Sequence, residues 1–215
     1  MINKLWINLC GIACLATPLA AQHEVRMNVQ QEEKPAIALD IHGVLTKTAI
    51  WRMVKTIFCA VCKQPKLICK LHPKTFSSGE YVKYPALRAI YNCHDPRPEM
   101  WELARQLKAA GYPIYIFSNI HHVPFADFRE ALPGYFDMFD GCRVQNGDPA
   151  LKKPAATAFA SCKTLVAQKH PNRNIIFIDD KKTNIRAGQA AGLTGIQFKN
   201  MKQLKKELAK QGVVV

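Results

Sequence analysis

Short apolar segments that end in a polar side chain most strongly constrain the fold of this chain. Each has the length of a strand buried on both faces, and each is too short to form a helix of ordinary length. The clearest are 36–39, which precedes Asp40, 113–117, which precedes Ser118, and 174–178, which precedes Asp179 and Asp180. A fourth short strand is predicted over 195–198.

Segments with helical spacing of apolar residues separate these strands. They cover 96–110, 154–168, 184–191 and 201–210. Buried strands alternating with helices are typical of parallel β-α units. We therefore expect an α/β protein with a three-layer, Rossmann-like parallel sheet.

Residues 46–95 interrupt this alternation after the first strand. Helical spacing is found over 50–61 and 85–91, and nine residues of the segment are lysine or arginine. We interpret it as a small, basic, cysteine-rich and mainly helical cap inserted into the core. The core then comprises 35–45 and 96–215.

The charge balance predicts an anionic partner. The formal net charge of the 215 residues is +14, while a hydrophobic content of 48% is typical of a globular protein. No recognisable nucleic-acid-binding module is present, so we expect no specific nucleic-acid partner.

The first 21 residues have the layout of a secretory signal. Lys4 precedes an apolar run that ends in small residues at Leu19-Ala20-Ala21. Cleavage after Ala21 would leave a polar lead-in over 22–34 and an exported chain, periplasmic or secreted. An uncleaved membrane anchor is the alternative, and no other segment is long and apolar enough to span a bilayer.

Six cysteines follow the leader, and four of them lie between residues 59 and 93. Three interpretations remain open: buried apolar thiols, disulfides in an oxidising compartment, or a zinc site that combines Cys59 and Cys62 with Cys69 and His72.

The predicted strand ends place polar and charged side chains at one edge of the sheet. Carboxyl ends of parallel strands meet there, which places Asp40 and Ser118 near the Asp179-Asp180 pair, within reach of Lys153. Clustered carboxylates favour a hard, oxygen-seeking cation such as Mg²⁺. An aspartate nucleophile with Mg²⁺, lysine and serine is suited to phosphoryl transfer.

These residues resemble the motifs of the haloacid dehalogenase-like (HAD) hydrolases. The matching segments are Asp40-Ile41-His42-Gly43-Val44-Leu45, Phe117-Ser118-Asn119, Lys153-Pro154 and Ile178-Asp179-Asp180, with Asn184 and Gly192 following. The insertion between the first two motifs is where this family carries a C1-type cap. The resemblance implies a Mg²⁺-dependent phosphatase acting on a phosphorylated small molecule or phosphopeptide.

The resemblance also implies residue roles. Asp40 would be the nucleophile and would hold Mg²⁺ together with Asp180 and the backbone carbonyl of His42, with Asp179 supporting the metal site. For the phosphoryl group, the implied ligands are Ser118, the backbone N–H of Asn119, and Lys153, which would also neutralise charge on Asp40.

His42 departs from the family pattern, in which phosphatases carry a second aspartate two residues after the nucleophile. An imidazole can act as general acid and base. The alternatives are a slow phosphatase, a dehalogenase-type hydrolase, or a non-catalytic protein that binds anionic ligands.

Overall fold

A parallel sheet forms the centre of the molecule. The computed structural model describes residues 33–63, 65–66 and 79–214. In chain order the strands are β1 (Ala36–Leu39), β2 (Thr46–Thr48), β3 (His94–Pro96), β4 (Ile114–His121), β5 (Gly141–Gln145), β6 (Ile175–Asp179) and β7 (Thr194–Gln197). Five of them form the central sheet in the order β5-β4-β1-β6-β7, and every pairing is parallel.

Helices follow the strands as the apolar spacing predicts. They are α1 (Ile50–Lys63), α2 (Pro85–Tyr91), α3 (Pro98–Ala109), α4 (His122–Ala131), α5 (Ala156–Lys169), α6 (Lys182–Ala190) and α7 (Met201–Lys210). Each helix predicted from the sequence is present, with ends displaced by at most two residues. The prediction of an α/β protein with a parallel, three-layer sheet is confirmed.

The central strand β1 explains why its sequence is apolar throughout. Ile37 and Leu39 belong to one hydrophobic cluster, which includes Trp101 of α3. Ala36 and Ala38 belong to a second cluster, which includes Phe159 of α5. Because successive side chains of a strand point to opposite faces, both faces of β1 are buried under helices.

Strand β4 is longer than predicted. The sequence predicts that it ends before Ser118, whereas the strand continues to His121. The extension pairs His121 with Gln145 of β5, a strand that the sequence analysis did not assign, after a register shift between Phe117 and His121. Ser118 and Asn119 therefore lie inside an irregular strand.

Residues 46–95 begin and end in an antiparallel ladder between β2 and β3, which pairs Thr46 with Pro96 and Thr48 with His94. Between these strands, α1 and α2 pack against each other around a small hydrophobic cluster of their own. The Leu87 side chain at its centre is fully buried.

Several sequence predictions fall outside the described residues. The leader over 1–21 and most of the 22–34 lead-in lie there, as do Cys69 and His72 of the candidate zinc site. Within the described ranges, no helix combines the length and the apolar character needed to cross a bilayer.

The described cysteines differ sharply in exposure, and all five are free thiols. Cys59 and Cys62 are exposed, whereas burial raises the pKa of Cys142 to about 11 and that of Cys162 to about 12. When the native protein is treated with an alkylating reagent at pH 8, we expect rapid modification of Cys59 and Cys62. Cys142 and Cys162 should react only after unfolding. Peptide mass mapping checks this. Protection of Cys59 and Cys62 that reductant removes would indicate a disulfide instead, and protection that a chelator removes would indicate zinc.

Candidate active site

Three carboxylates meet at the carboxyl edge of the central sheet. Asp40 follows β1, Asp179 ends β6, and Asp180 comes next in the chain. One carboxylate oxygen from each lies within 4.8 Å of the other two. The pairing of β1 beside β6 in register, Leu39 opposite Ile178, produces this arrangement. The predicted clustering of these residues is therefore seen in the structure.

A buried lysine bridges two of these carboxylates. Lys153 has a side chain that is 0% exposed, and its Nζ lies 2.6 Å from Asp179 Oδ2 and 3.3 Å from Asp40 Oδ1. It also donates to the carbonyl oxygen of Phe117 at 2.7 Å. A buried ammonium is stable only when negative charge compensates it. The carboxylates of Asp40 and Asp179 supply that charge and so hold Lys153 between them.

Asp179 is occupied by donors from the chain itself. Besides Lys153, its oxygens accept hydrogen bonds from Asn184 Nδ2, at 3.1 and 2.9 Å, and from the backbone N–H of Lys181, at 2.8 Å. Burial raises the pKa of Asp179, and Lys153 opposes that shift. Asp179 is therefore suited to positioning Lys153 and its own neighbour in the chain, Asp180. The buried Asn184 holds it in place, a function that the sequence motif alone did not reveal.

Asp180 has a different environment. Its Oδ1 is buried and accepts no hydrogen bond from the described residues. Burial raises the pKa of its carboxyl group, and the neighbouring Asp179 adds to that shift. The loop after β1 approaches it closely, since a Cβ at Gly43 would lie 2.5 Å from Asp180 Cγ, and Gly43 has φ +85°. Only glycine fits there without strain.

A hard divalent cation fits these observations. Asp40 and Asp180 supply carboxylate oxygens, and the buried Asp180 Oδ1 lacks any other counterpart among the described residues. Mg²⁺ is a hard cation that proteins usually bind through one or two carboxylates, as these two residues would provide. The residues that would hold it are Asp40 and Asp180, with Asp179 behind them. When bound, such an ion neutralises negative charge on a phosphoryl group.

We expect Mg²⁺ to stabilise the protein against heat. At about 100 times its Kd, an ion that binds only the folded chain adds ~2.7 kcal/mol, or about 5–11 °C in Tm for a chain of this size. Asp180→Asn should abolish the shift, yet be at least as stable as wild type without Mg²⁺, because it removes a charge beside Asp179. Calorimetry with and without Mg²⁺ measures both. The exposed Asp137→Asn is the matched control, and equal shifts in all three proteins would exclude this site.

Ser118 and Asn119 occupy different positions from each other. Ser118 is buried, and its Oγ accepts a hydrogen bond from Ile120 N at 3.3 Å. Asn119 Nδ2 donates to the Lys153 carbonyl at 2.9 Å, and Asn119 Oδ1 accepts from the Lys153 N–H at 2.8 Å. The Asn119 side chain thus clamps the backbone of Lys153. The sequence analysis considered only its backbone N–H.

Removing this clamp should impair turnover more than substrate binding. We expect Asn119→Ala to lower kcat about 10- to 100-fold, because small displacements of a positioned group carry costs of this size. The loss of two hydrogen bonds should also reduce the free energy of unfolding by about 1–3 kcal/mol. Steady-state kinetics and urea unfolding measure these effects. Asn146→Ala, at an exposed asparagine, is the matched control, and an unchanged kcat in Asn119→Ala would show that the clamp is dispensable.

His42 is enclosed by rings from the inserted segment. Its imidazole stacks on His94 with centroids 4.0 Å apart and meets the edge of Tyr91 at 5.3 Å. Burial, followed by the nearby His94, lowers the pKa of His42 to about 3. The ring is therefore neutral near pH 7, as the chain alone presents it.

Tyrosines from the insertion extend this aromatic wall. Tyr91 stacks on Tyr81 at 4.8 Å, and Tyr81 meets the edge of His121 at 6.4 Å. Burial raises the pKa of Tyr91, and burial also raises that of Tyr81 to about 12. Sequence reasoning did not place Tyr91 or His94 beside His42. Tyr91 and His94 lie at the end of the insertion, just before the chain returns to the core. That position was the only signal that could have placed them near the site.

Comparison with known proteins assigns this chain to a family. The family model for haloacid dehalogenase-like hydrolases matches residues 34–192. The match covers most of the chain and all of the residues discussed in this section. The chain therefore belongs to the haloacid dehalogenase-like hydrolase family, and it is a hydrolase of that family.

Particular relatives are more distant. A sesquiterpene phosphatase from Aspergillus oryzae is 29% identical over 111 residues, which are 52% of this chain and 55% of that protein. The match thus spans about half the length of this curated relative.

Solved structures share the fold at low identity. A HAD family enzyme from Bacteroides thetaiotaomicron, in complex with magnesium and inorganic phosphate, has a TM-score of 0.60 at 16% identity, covering 77% of this chain and 94% of that one. An L-2-haloacid dehalogenase from Xanthobacter autotrophicus has a TM-score of 0.53 at 14% identity, covering 85% of each chain.

Proposed function

We propose that this hydrolase is a Mg²⁺-dependent phosphatase that cleaves a phosphate monoester through an aspartyl-phosphate on Asp40. The observation that carries the proposal is the buried Lys153 ammonium between Asp40 and Asp179, beside the unpartnered Oδ1 of Asp180. A nucleophile, a fixed positive charge and a cation site thereby converge within one small volume. This is the equipment that phosphoryl transfer requires.

The contacts of Asp40 support an assignment of its attacking atom. Its Oδ1 accepts the N–H of Ile41 at 2.8 Å and faces Lys153 Nζ. Within the described part of the chain, Oδ2 has no such donor, so Oδ2 is the oxygen that attacks phosphorus. The Asp40–phosphorus bond forms as the bond between phosphorus and the ester oxygen breaks, and that oxygen takes a proton from the protonated His42 ring. Water then attacks phosphorus and gives its proton back to His42, the bond to Asp40 breaks, and inorganic phosphate is released.

The other residues hold the group being transferred. Lys153 balances charge on Asp40 throughout both steps, and its own position depends on Asp179 and Asn119. Ser118 Oγ and the Asn119 N–H are the proposed ligands of the phosphoryl oxygens. His42, whose backbone carbonyl we place on the metal, is the proposed acid and base in the position where phosphatases of the family carry aspartate. Its ring is neutral in the free chain, so to act as an acid it takes up a proton when a phosphate dianion binds beside it, because a neighbouring anion raises the pKa of an imidazole.

The inserted segment is proposed to act as a C1-type cap. It begins seven residues after the end of β1 in sequence and supplies Tyr91 and His94, whose rings pack against His42. A phosphorylated small molecule or a phosphopeptide is the proposed substrate. The relative named as a sesquiterpene phosphatase supports the phosphatase assignment. The three-carboxylate cluster also favours it over halide displacement, which needs no metal.

Hydrolysis of an aryl phosphate with Mg²⁺ or with a chelator tests the proposal. We expect turnover that Mg²⁺ supports and the chelator removes, with no halide release from 2-chloropropionate. The reverse pattern would establish the dehalogenase alternative, and silence toward a panel of phosphate monoesters would favour the binding role.

Variants at His42 test proton transfer separately. If the imidazole protonates the departing oxygen, His42→Ala should slow an alkyl phosphate about 10²-fold or more, and an aryl phosphate much less, because its leaving group needs no proton. His42→Asp should retain alkyl phosphate hydrolysis. Equal effects of His42→Ala on both substrates would assign the ring a packing role.

Export remains part of the proposal. The signal-like layout of residues 1–21 supports delivery to a periplasmic or extracellular location, with an uncleaved anchor as the alternative. Sequencing the N-terminus of the protein from cells and from the exported fraction distinguishes them. A new N-terminus at Gln22 is the expected result.

A further inference from the structure

One face of α1 exposes an unusual amount of apolar surface. Among the described residues, six large hydrophobic side chains are exposed, and four of these belong to α1. They are Ile50 at 62%, Trp51 at 86%, Val54 at 49% and Phe58 at 68% exposure, and we term them the outer face. The spacing of one to four residues places them on one side of the helix. Contiguous apolar surface of this kind marks an interaction site.

A neighbouring side of α1 already has its partner. Met53, Ile57 and Ala60 pack with Leu87 and Ile90 of α2 in the small hydrophobic cluster. The outer face is therefore not needed to fold the helix onto the rest of the molecule. Its apolar residues require a different explanation.

Positive charge lies beside the outer face, since Lys55 is four residues from Trp51 and three from Phe58 on the same helix. Residues 46–66 contain five lysine or arginine residues and no aspartate or glutamate. Lys55 and Lys63 of α1 are exposed and form no ion pair within the described part of the chain, whereas Arg52 pairs with Asp95 at 2.9 Å. Helix α1 thus combines an exposed tryptophan and phenylalanine with uncompensated lysines.

We propose that the outer face of α1 binds the surface of a membrane that contains anionic lipids. Aromatic and aliphatic side chains on one face, with cations beside them, are the features of a helix that lies in the plane of a bilayer interface. Trp51 and Phe58 would enter the headgroup layer, and Lys55, which borders them, would contact lipid phosphates. Lys63 would add positive charge at the end of the helix. The complete lack of acidic side chains over 46–66 complements a negative surface. The inference does not depend on the proposed phosphatase activity.

Vesicle sedimentation tests this proposal. The chain beginning at Gln22 retains every described residue and avoids the apolar leader. We expect it to sediment with phosphatidylcholine vesicles that contain about 30% phosphatidylglycerol, and about tenfold less with phosphatidylcholine alone. Trp51→Ser/Phe58→Ser should weaken binding about tenfold or more. Lys55→Glu/Lys63→Glu should weaken it on the anionic vesicles only.

A matched charge reversal elsewhere controls for net charge. Lys205 and Lys206 are exposed lysines on α7, so Lys205→Glu/Lys206→Glu changes the total charge equally. This variant should bind almost as wild type does. An equal loss in both charge variants, or binding that is indifferent to Trp51 and Phe58, would overturn the proposal. Circular dichroism confirms that each variant is folded.

Tryptophan fluorescence distinguishes the other possible occupants of this face. In the chain from Gln22, the remaining tryptophans are Trp51 and the fully buried Trp101. Acrylamide should quench Trp51 in the free protein, and vesicles should protect it. Shielding of Trp51 without vesicles would show that the chain or a second copy covers the face. Light scattering then separates those two cases, and either result overturns membrane binding.

Discussion

Asp40→Asn should abolish Mg²⁺-dependent phosphate release. The amide oxygen of asparagine is a poor nucleophile, so we expect kcat to fall by at least about 10³-fold. The fold should survive, because asparagine matches aspartate in shape and Asp179 still compensates Lys153 at 2.6 Å. Steady-state hydrolysis of an aryl phosphate measures the loss, and calorimetry checks the fold.

The covalent step itself is also open to measurement. Acid quenching of wild type during turnover, followed by peptide mass analysis, should find a phosphoryl group on the Asp40 peptide. Asp137→Asn is the matched control, since Asp137 is exposed and lies away from the strand ends. Retained turnover in Asp40→Asn, or a phosphoryl group on another residue, would place the nucleophile elsewhere.

Lys153→Met should both destabilise the protein and remove its activity. The substitution leaves Asp40 and Asp179 as buried carboxylates without their shared cation. Removing one partner of a buried ion pair costs about 3–5 kcal/mol, which corresponds to about 6–20 °C in Tm for a chain of this size. Calorimetry in the absence of Mg²⁺ measures this effect without interference from a bound cation.

Two further variants separate charge from packing. Lys152→Met changes the half-buried neighbour and should alter the free energy of unfolding by less than about 0.5 kcal/mol. Adding Asp179→Asn to Lys153→Met should recover part of the lost stability, because one of the two uncompensated charges is removed. A double variant that is less stable than Lys153→Met alone would mean that packing of the lysine stem, rather than charge, dominates.

Local sequence determined much of the fold. Residues 36–39 and 175–178 are apolar at every position because strands covered on both faces have no solvent-exposed side, so these strands could be predicted without the structure. Six of the seven helices described could be predicted for a related reason, since the 3.6-residue period of an amphipathic helix is contained within each segment. Helix α4 (His122–Ala131) was not predicted. Strand β5 could not be predicted in this way, because its sequence Gly141–Gln145 is only partly buried and lacks a clear apolar pattern.

The grouping of the site residues was also contained in the sequence. Polar residues that end parallel strands meet at one edge by topology alone, so Asp40, Ser118 and Asp179 could be grouped before any distance was known, with Lys153 within reach. What each one contacts could not be deduced, because adjacent residues such as Asp179 and Asp180 carry the same side chain. Their roles differ only because Lys153 and Asn184 reach one of them and leave Oδ1 of the other unpartnered.

Tertiary structure alone decided the surroundings of His42 and of α1. Tyr91 and His94 lie about fifty residues from His42 in sequence, and only the closure of the β2–β3 ladder brings their rings against it. The same holds for Trp51 and Phe58. Apolar spacing identifies a helix, but which of its apolar residues is buried depends on where α2 packs. Periodicity is a local property of the chain, whereas contact and exposure are set by segments distant in sequence.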